Sequence, residues 1–298
     1  MNTITRGELN ELLAGPKAPI LIDVTPEDYF QAGHLPGAKN CCVYEVSFLD
    51  AVANVAPDKE AAIVLYGSSD HSLASCTAQE KLTKAGYTHT RDYRGGLEDW
   101  RCAGLAVEGA GQPPRAEAPR QGRHEIDTAK SRVLWTGRNM SGEHTGTIGI
   151  QGGWIEVAGE RASGEITLDM NSIANLDIAD GALNRILIAH LKSDDFFDTA
   201  QHPTAAFALR YVTINRHARP GSVNADIAGS FTLKGVTGDL GFPAIIEALP
   251  GGGLSAEAHF DIDRTRWNVL YGSGKFYECL GKHLVHDLIS LSLHIRTR

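Results

Sequence analysis

The chain reads as two domains of different class, an N-terminal α/β unit on an open parallel sheet and a C-terminal antiparallel β-barrel carrying a short helical segment. Three observations predict this. A length of 298 residues is long for one core and sufficient for two. Composition breaks once, over residues 109–122 (GAGQPPRAEAPRQG), where small residues and prolines without apolar periodicity read as an extended linker. Across that break the rhythm changes, from short apolar runs alternating with helical patterns to a succession of alternating strands. The expected division is 1–108, a linker over 109–122, and 123–298.

Charge and composition narrow the partners. A net charge of -8 with no basic cluster argues against nucleic acid. No apolar run is long enough to span a bilayer, and residues 1–10 are polar, without the apolar region of a signal peptide, so a cytoplasmic location is expected. Five cysteines, an odd number with Cys41 and Cys42 adjacent, suit reduced thiols better than a disulfide framework.

In the first half, Leu9, Leu12 and Leu13 predict a helix over 5–13 that stops at Gly15-Pro16. Residues 20–24 and 62–66 are continuous apolar runs, as expected of parallel strands buried on both faces. Residues 26–32 and 73–85 read as helices, the second ended by Gly86, and Cys41 and Cys42 fall on a second short strand. The segments LIDV (21–24), GHLPGAKN (33–40), IVLY (63–66), AGY (85–87) and GGLEDW (95–100) resemble, in order and spacing, a rhodanese-like domain.

That resemblance implies a persulfide-carrying cysteine directly after the 63–66 strand, where backbone N–H groups and a helix N-terminus lower the thiol pKa. Gly67 stands there, followed by Ser68, Ser69, Asp70, His71 and Ser72, a loop with neither a thiol nor a strong cation. Thr25 replaces the arginine-like position after LIDV. Cys76 is expected about two turns beyond the loop as a small buried hydrophobe, and Cys41, Cys42 and Cys102 lie elsewhere. His34, Pro36, Gly37, Asn40, the Gly95-Gly96 turn and Trp100 are residues that fix turns and fill a core, so the resemblance implies the fold and no catalytic residue.

The second half centres on residues 183–207. Leu183, Ile186, Leu187, His190 and Leu191 form a stripe at helical spacing, expected to be buried. Ser193 is expected to cap a short turn carrying Asp194 and Asp195, and Pro203 opens an extended stretch over 204–214. Alternation then places Ile166, Leu168 and Met170 on one face, as it does Phe207, Leu209 and Tyr211, and likewise Ile227, Phe231 and Leu233. Phe260 with Ile262, and Ile289, Leu291, Leu293 and Ile295, repeat the pattern. Strands apolar on one face and wet on the other suit a sheet closed around an interior, and about eight of them leave room for one elongated ligand. The candidate ligand-binding residues are Trp135, Ile166, Leu168, Met170, Phe196, Phe197, Phe207, Leu209, Phe231, Leu233 and Phe260. Taken singly, Trp135, Met170, Phe207, Phe231 and Phe260 are better explained by core packing than by ligand contact. Of the Phe196-Phe197 doublet, one ring is expected to plug or border the barrel mouth and the other to cover the helix.

HLKSDDFFD…HPTAAF (190–207), DTAKS (127–131), GSFTLKGVT (229–237) and FDIDRTRWNVLYG (260–272) are similar to segments of the YceI family, and NMSGEHTG (139–146) resembles a subgroup of it. The resemblance implies a lipocalin-like barrel that binds a polyisoprenoid or another long-chain amphiphile. Twelve histidines raise the question of a metal, but neither Cys279, His283 and His286 nor His144, His190 and His202 make a convergent set from spacing alone, and no metal is expected. Three readings follow: a binding protein for an apolar small molecule with an inactive rhodanese-like half, through which it could also meet a protein partner; a sulfurtransferase using a relocated thiol such as Cys76; or a purely structural protein with both halves used as interaction surfaces.

Overall fold

The computed structural model describes residues 2–112, 114 and 118–298, and divides the chain into two compact units, Met1–Arg115 and Ala116–Arg298. Residues 113 and 115–117 of the expected linker lie outside the described residues. Its ends belong to the units. A Cβ on Gly109 would lie 2.8 Å from the Gln31 carbonyl, and the Arg120 amide donates to Gly252 O at 2.9 Å.

In the first unit, strands β1 (Ile20–Asp23), β2 (Lys39–Asn40), β3 (Ile63–Tyr66) and β4 (Thr90–Tyr93) form a parallel sheet in the order β2-β1-β3-β4. The apolar runs have the predicted cause. Leu21, Val64 and Tyr66 pack on one face with Leu9, Leu35 and Trp100, while Ile22, Ile63 and Leu65 pack on the other with Phe48, Val52 and Leu82. Helix α1 (Arg6–Ala14) starts in a capping box, with Thr5 accepting from the Glu8 amide and Glu8 accepting from the Thr5 amide. Helices α2 (Glu27–Ala32), α4 (Ala74–Lys84) and α5 (Gly96–Cys102) follow the strands, and α3 (Phe48–Val55) is an additional helix carrying Phe48 and Val52 into the core. Cys41 and Cys42 follow β2 instead of lying on it: the Cys41 amide still donates to Asp23 O, after which the chain turns.

The second unit is antiparallel. Its strands are β5 (Gly122–Glu125), β6 (Arg132–Asn139), β7 (Gly142–Ala158), β8 (Arg161–Asn175), β9 (Thr204–Ile214), β10 (Ala225–Leu233), β11 (Val236–Ala248), β12 (Leu254–Asp263) and β13 (Leu288–Arg296). They follow the order β5-β7-β6-β13-β12-β11-β10-β9-β8, and β7 also pairs with β8, so β6 to β13 close into a barrel. The β10–β11 hairpin turns on Lys234 and Gly235, both at positive φ (47° and 73°), the geometry that matches strand twist. Helix α6 (Gly181–Lys192), capped by the Asp180 carboxylate, lies against β8 at the end of the barrel opposite the β7–β8 turn.

Three local expectations are corrected. Leu183 and Ile186 are 57% and 65% exposed, because only the C-terminal half of α6, with Leu187, Ile188 and Leu191, packs on the barrel core. Ser193 ends α6 instead of capping a new turn: its hydroxyl donates back to His190 O, and its carbonyl accepts from the Phe196 and Asp198 amides. Tyr211 is 70% exposed, since a bulge opposite Ala228 and Gly229 skips Arg210 and turns every later β9 side chain over.

Cutting the chain between Gln112 and Ala118 should leave two fragments that each unfold cooperatively, because the described residues of that span, Gln112, Pro114 and Ala118, are exposed. Circular dichroism melts of the separate fragments check this; loss of a cooperative transition in both would contradict it.

Candidate functional site

The barrel of the second unit encloses a cavity of about 890 Å³. Its wall is built by alternation: Val133 and Trp135 from β6, Ile166, Leu168 and Met170 from β8, and the inward positions of β9 to β13. All eleven candidate ligand-binding residues named from the sequence lie in this wall. Inward position does not mean full burial. Ile166, Leu168, Phe207, Leu209 and Phe260 face the interior yet keep accessible surface, which is turned to the cavity. Small barrels that are filled by their own side chains have no such surface. Phe242 and Phe260 stack at 4.1 Å with an interplanar angle of 4°, and Phe207 leans on Phe242 at 5.5 Å, making a flat aromatic stretch of wall.

Phe196 and Phe197 are both buried, at 7% and 8% exposure, and pack with Leu191 and the fully buried Trp267. Both rings plug one side of the α6 end, and neither is left to cover the helix alone. Trp267 is held there by its indole N–H donating to Phe231 O at 2.8 Å. Sequence alternation did not reveal Val212, Phe242 or Tyr271 in the wall. Val212 arrives through the β9 bulge, Phe242 sits in a Gly-Phe-Pro context that interrupts the pattern, and Tyr271 comes from the long β12–β13 connection.

The two ends of the cavity differ in chemistry. At the α6 end, His144 shares a 2.8 Å hydrogen bond with Asp177, and His190 lies 3.5 Å from Asp195 while meeting Phe196 and Tyr271 edge-on. Burial alone would raise the Asp177 pKa, but hydrogen bonds from His144, the Thr145 amide and Asn175 hold it below the ordinary carboxylate value. Arg264 is fully buried with its guanidinium donating to Val269 O, Val285 O and His286 O, so it fastens the β12–β13 connection; burial lowers its pKa. At the opposite end the wall includes Glu160, paired with Arg216, and Glu257, 3.0 Å from His294. Among the described residues no group of three or more His, Cys, Asp or Glu is placed to hold a metal. His202 lies against Gly235, away from the other histidines considered.

In the first unit, the loop from Gly67 to Ser72 runs between β3 and α4. It is fastened from α5: the Leu97 and Glu98 amides donate to Gly67 O and Ser68 O at 3.0 and 2.9 Å. Gly96, at φ 61°, makes this approach possible, since a Cβ there would lie 2.5 Å from Gly67 O. A Cβ on Gly67 itself would meet only ordinary contacts, 3.5 Å to Ala74 Cβ and 3.9 Å to the Ser75 amide nitrogen. Arg94 donates to Asp70 O at 3.2 Å, a cation beside the loop that sequence reading missed because it follows β4. Cys76 stands in the first turn of α4, not two turns beyond the loop, and is half-buried. Cys41 is buried, which pushes its thiol pKa up to about 11, and Cys102 is exposed at the end of α5.

The family model described as YceI-like domain matches residues 124–297, and that described as Rhodanese-like domain matches residues 5–103. Over 107 residues the chain is 34% identical to the HTH-type transcriptional regulator Rv0324 of Mycobacterium tuberculosis, covering 36% of this chain and 45% of that protein. The chain spans less than half the length of the curated relatives it matches. Among solved structures, BcnA of Burkholderia cenocepacia is similar with a TM-score of 0.44 and 21% identity, covering 58% of this chain and 99% of that one. A polyisoprenoid binding domain from Saccharophagus degradans has a TM-score of 0.44 and 15% identity, covering 60% and 99%.

Gly146 is the position where the wall tolerates least. A Cβ there would fall 1.8 Å from Ala174 O and 2.5 Å from the Trp135 ring. Gly146→Ala is therefore expected to cost about 3 kcal/mol of stability through overpacking against backbone, read as a lowered urea midpoint of the second unit.

Proposed function

The chain belongs to the YceI-like family, and from that premise we propose that its second unit is a container for one long apolar or amphipathic molecule, of the isoprenoid or fatty-chain type that the family resemblance implies. The observation that carries the reading is the ring of inward apolar residues keeping accessible surface around a cavity of about 890 Å³. A chain laid along such a wall gains about 25 cal/mol per Å² of apolar surface removed from water, so affinity can rise with chain length without a polar anchor. The reading places the protein in the cytoplasm, in keeping with the odd number of cysteines and the adjacent Cys41 and Cys42.

The rhodanese-like unit enters this reading as a scaffold without sulfur transfer. Gly67 offers no sulfur at the loop that follows β3, and a serine hydroxyl cannot form a persulfide. One observation favours a second reading, sulfur transfer through Cys76. It stands in the first turn of the eleven-residue α4, directly after the loop that follows β3.

Two experiments test these assignments. Phe207→Asp puts a carboxylate into the aromatic wall and should abolish retention of a fluorescent fatty-acid probe, with some loss of stability. Arg210→Ala, whose guanidinium is exposed beside Asp239, should retain the probe as the unaltered protein does. Organic extracts free of any lipid-like molecule, together with failure of fatty and isoprenoid probes to bind, would sink the container reading. For the first unit, thiosulfate-to-cyanide turnover should not rise above background; a robust rate abolished by Cys76→Ser would establish the second reading instead.

A further inference from the structure

The cavity wall is electrostatically lopsided. Its acidic members are Glu160, Glu165 and Glu257, all in the half toward the β7–β8 turn, where Arg161 and Arg216 also lie in the wall and Arg216 pairs with Glu160. The α6 end contributes His144, His190, Lys282, His283 and His286; His144 is bonded to Asp177 and His190 lies 3.5 Å from Asp195, carboxylates that stand behind the wall and not in it. Two other basic residues at this end are committed elsewhere: Arg264 to backbone carbonyls, and Arg138 to Ser290 and Glu143 on the outer face. Lys282, His283 and His286 are exposed and have no ion pair among the described residues.

Backbone pairing draws these groups to one rim. The His286 amide donates to Arg138 O at 2.9 Å, and Asn139 bridges Val285, which sets the 282–286 segment against the end of β6. On the other edge of β6, His144 faces Gly137. Across the opening, His190 is held in place by the edge-on rings of Phe196 and Tyr271, with Tyr271 itself in the wall. The rim thus offers one ammonium group and several imidazoles next to an apolar interior. Lysine can only donate, and an imidazole donates from one nitrogen when neutral and from both when protonated. Such an end suits a head group made of acceptor oxygens with negative charge, whereas at the other end the cations are offset by glutamates.

We propose that the α6 end of the barrel is a head-group site, and that the molecule carried is a single-chain amphiphile with an anionic head, a carboxylate or a phosphate, inserted tail first toward the β7–β8 turn. This rests on the container reading and narrows it. Lys282 supplies the charge, His283 and His286 supply donors beside it, and His144 and His190 form the inner side of the site.

The test uses the full-length protein and two matched pairs of probes, oleate against oleyl alcohol and farnesyl phosphate against farnesol, measured by equilibrium binding at low salt. At least one anion should bind about tenfold more tightly than its alcohol, and that preference should shrink as salt is added. A preference confined to the prenyl pair assigns phosphate; one confined to the fatty pair assigns carboxylate. Combined replacement of Lys282→Gln, His283→Gln and His286→Gln should remove the preference while leaving alcohol binding unchanged. Arg185→Gln, which removes an exposed cation of α6 outside the wall, should keep it. The variant positions are exposed, so folding should survive, and an unchanged melt checks this. Equal binding of anion and alcohol, or a preference that survives the triple replacement, overturns the head-group site and leaves the container standing. Failure of all four probes overturns both.

Discussion

The second unit depends on one strand bonded along both of its edges. β7 runs for seventeen residues, pairs with β6 and β5 on one side and with β8 on the other, and so turns a sheet into a closed wall. Closure pairs most strand edges internally, the β11–β12 seam only over Ile245–Ala248 and Leu254–Glu257, and fixes which side chains face inward. It also imposes a steric condition at the crossing. The wall bends sharply enough at Gly146 that Ala174 O and the Trp135 ring occupy the space a side chain would need. Shifts of register in the β7–β8 ladder near Gly149 and Gly152 absorb the remaining curvature.

Most of this architecture was legible in the amino-acid order. Alternation located β8, β9, β10, β12 and β13, 204–214 coinciding with β9, because one face of each strand is wet and the other is not, but it did not mark β6 or β7. What escaped was whatever depends on a partner strand. A bulge is invisible in the strand that carries it, so Tyr211 read as inward when Val212 is. The stripe on α6 was correct in period but not in extent, since how far a helix overlaps a barrel rim is a matter of tertiary placement. The same holds for the rim itself. Lys282, His283 and His286 have unremarkable spacing until the β12–β13 connection folds back onto β6.

The first unit shows the complementary situation. Its loop after β3 is secured by two amides from α5 and by the close pass of Gly96, although the residue opening that loop is Gly67. Turn chemistry and reactive groups are separable properties of a sequence. The small residues and turn formers read from the chain report on the former alone. Arg94, which reaches Asp70 O from beyond β4, belongs to a third category, a neighbour created by sheet order and by nothing local.

Closure also has a kinetic side. The β7–β8 and β10–β11 turns join neighbours and can form early, but the seam between β6 and β13 brings together residues as far apart as Ser131 and Arg296, 165 positions along the chain. Such a contact is made only after a long loop has been restrained, so the barrel belongs among slowly folding topologies. Until β13 arrives, β6 and β12 each present an unpaired edge, and the apolar lining stands open to water and to other chains. The parallel sheet of the first unit closes over far shorter spans, with β1, β3 and β4 all within residues 20–93. It precedes the barrel in the chain and can be complete while the barrel is still a ribbon. A molecule that entered the unfinished barrel would meet the lining before the seam closes, which makes the last strand to pair the step that separates filling from sealing.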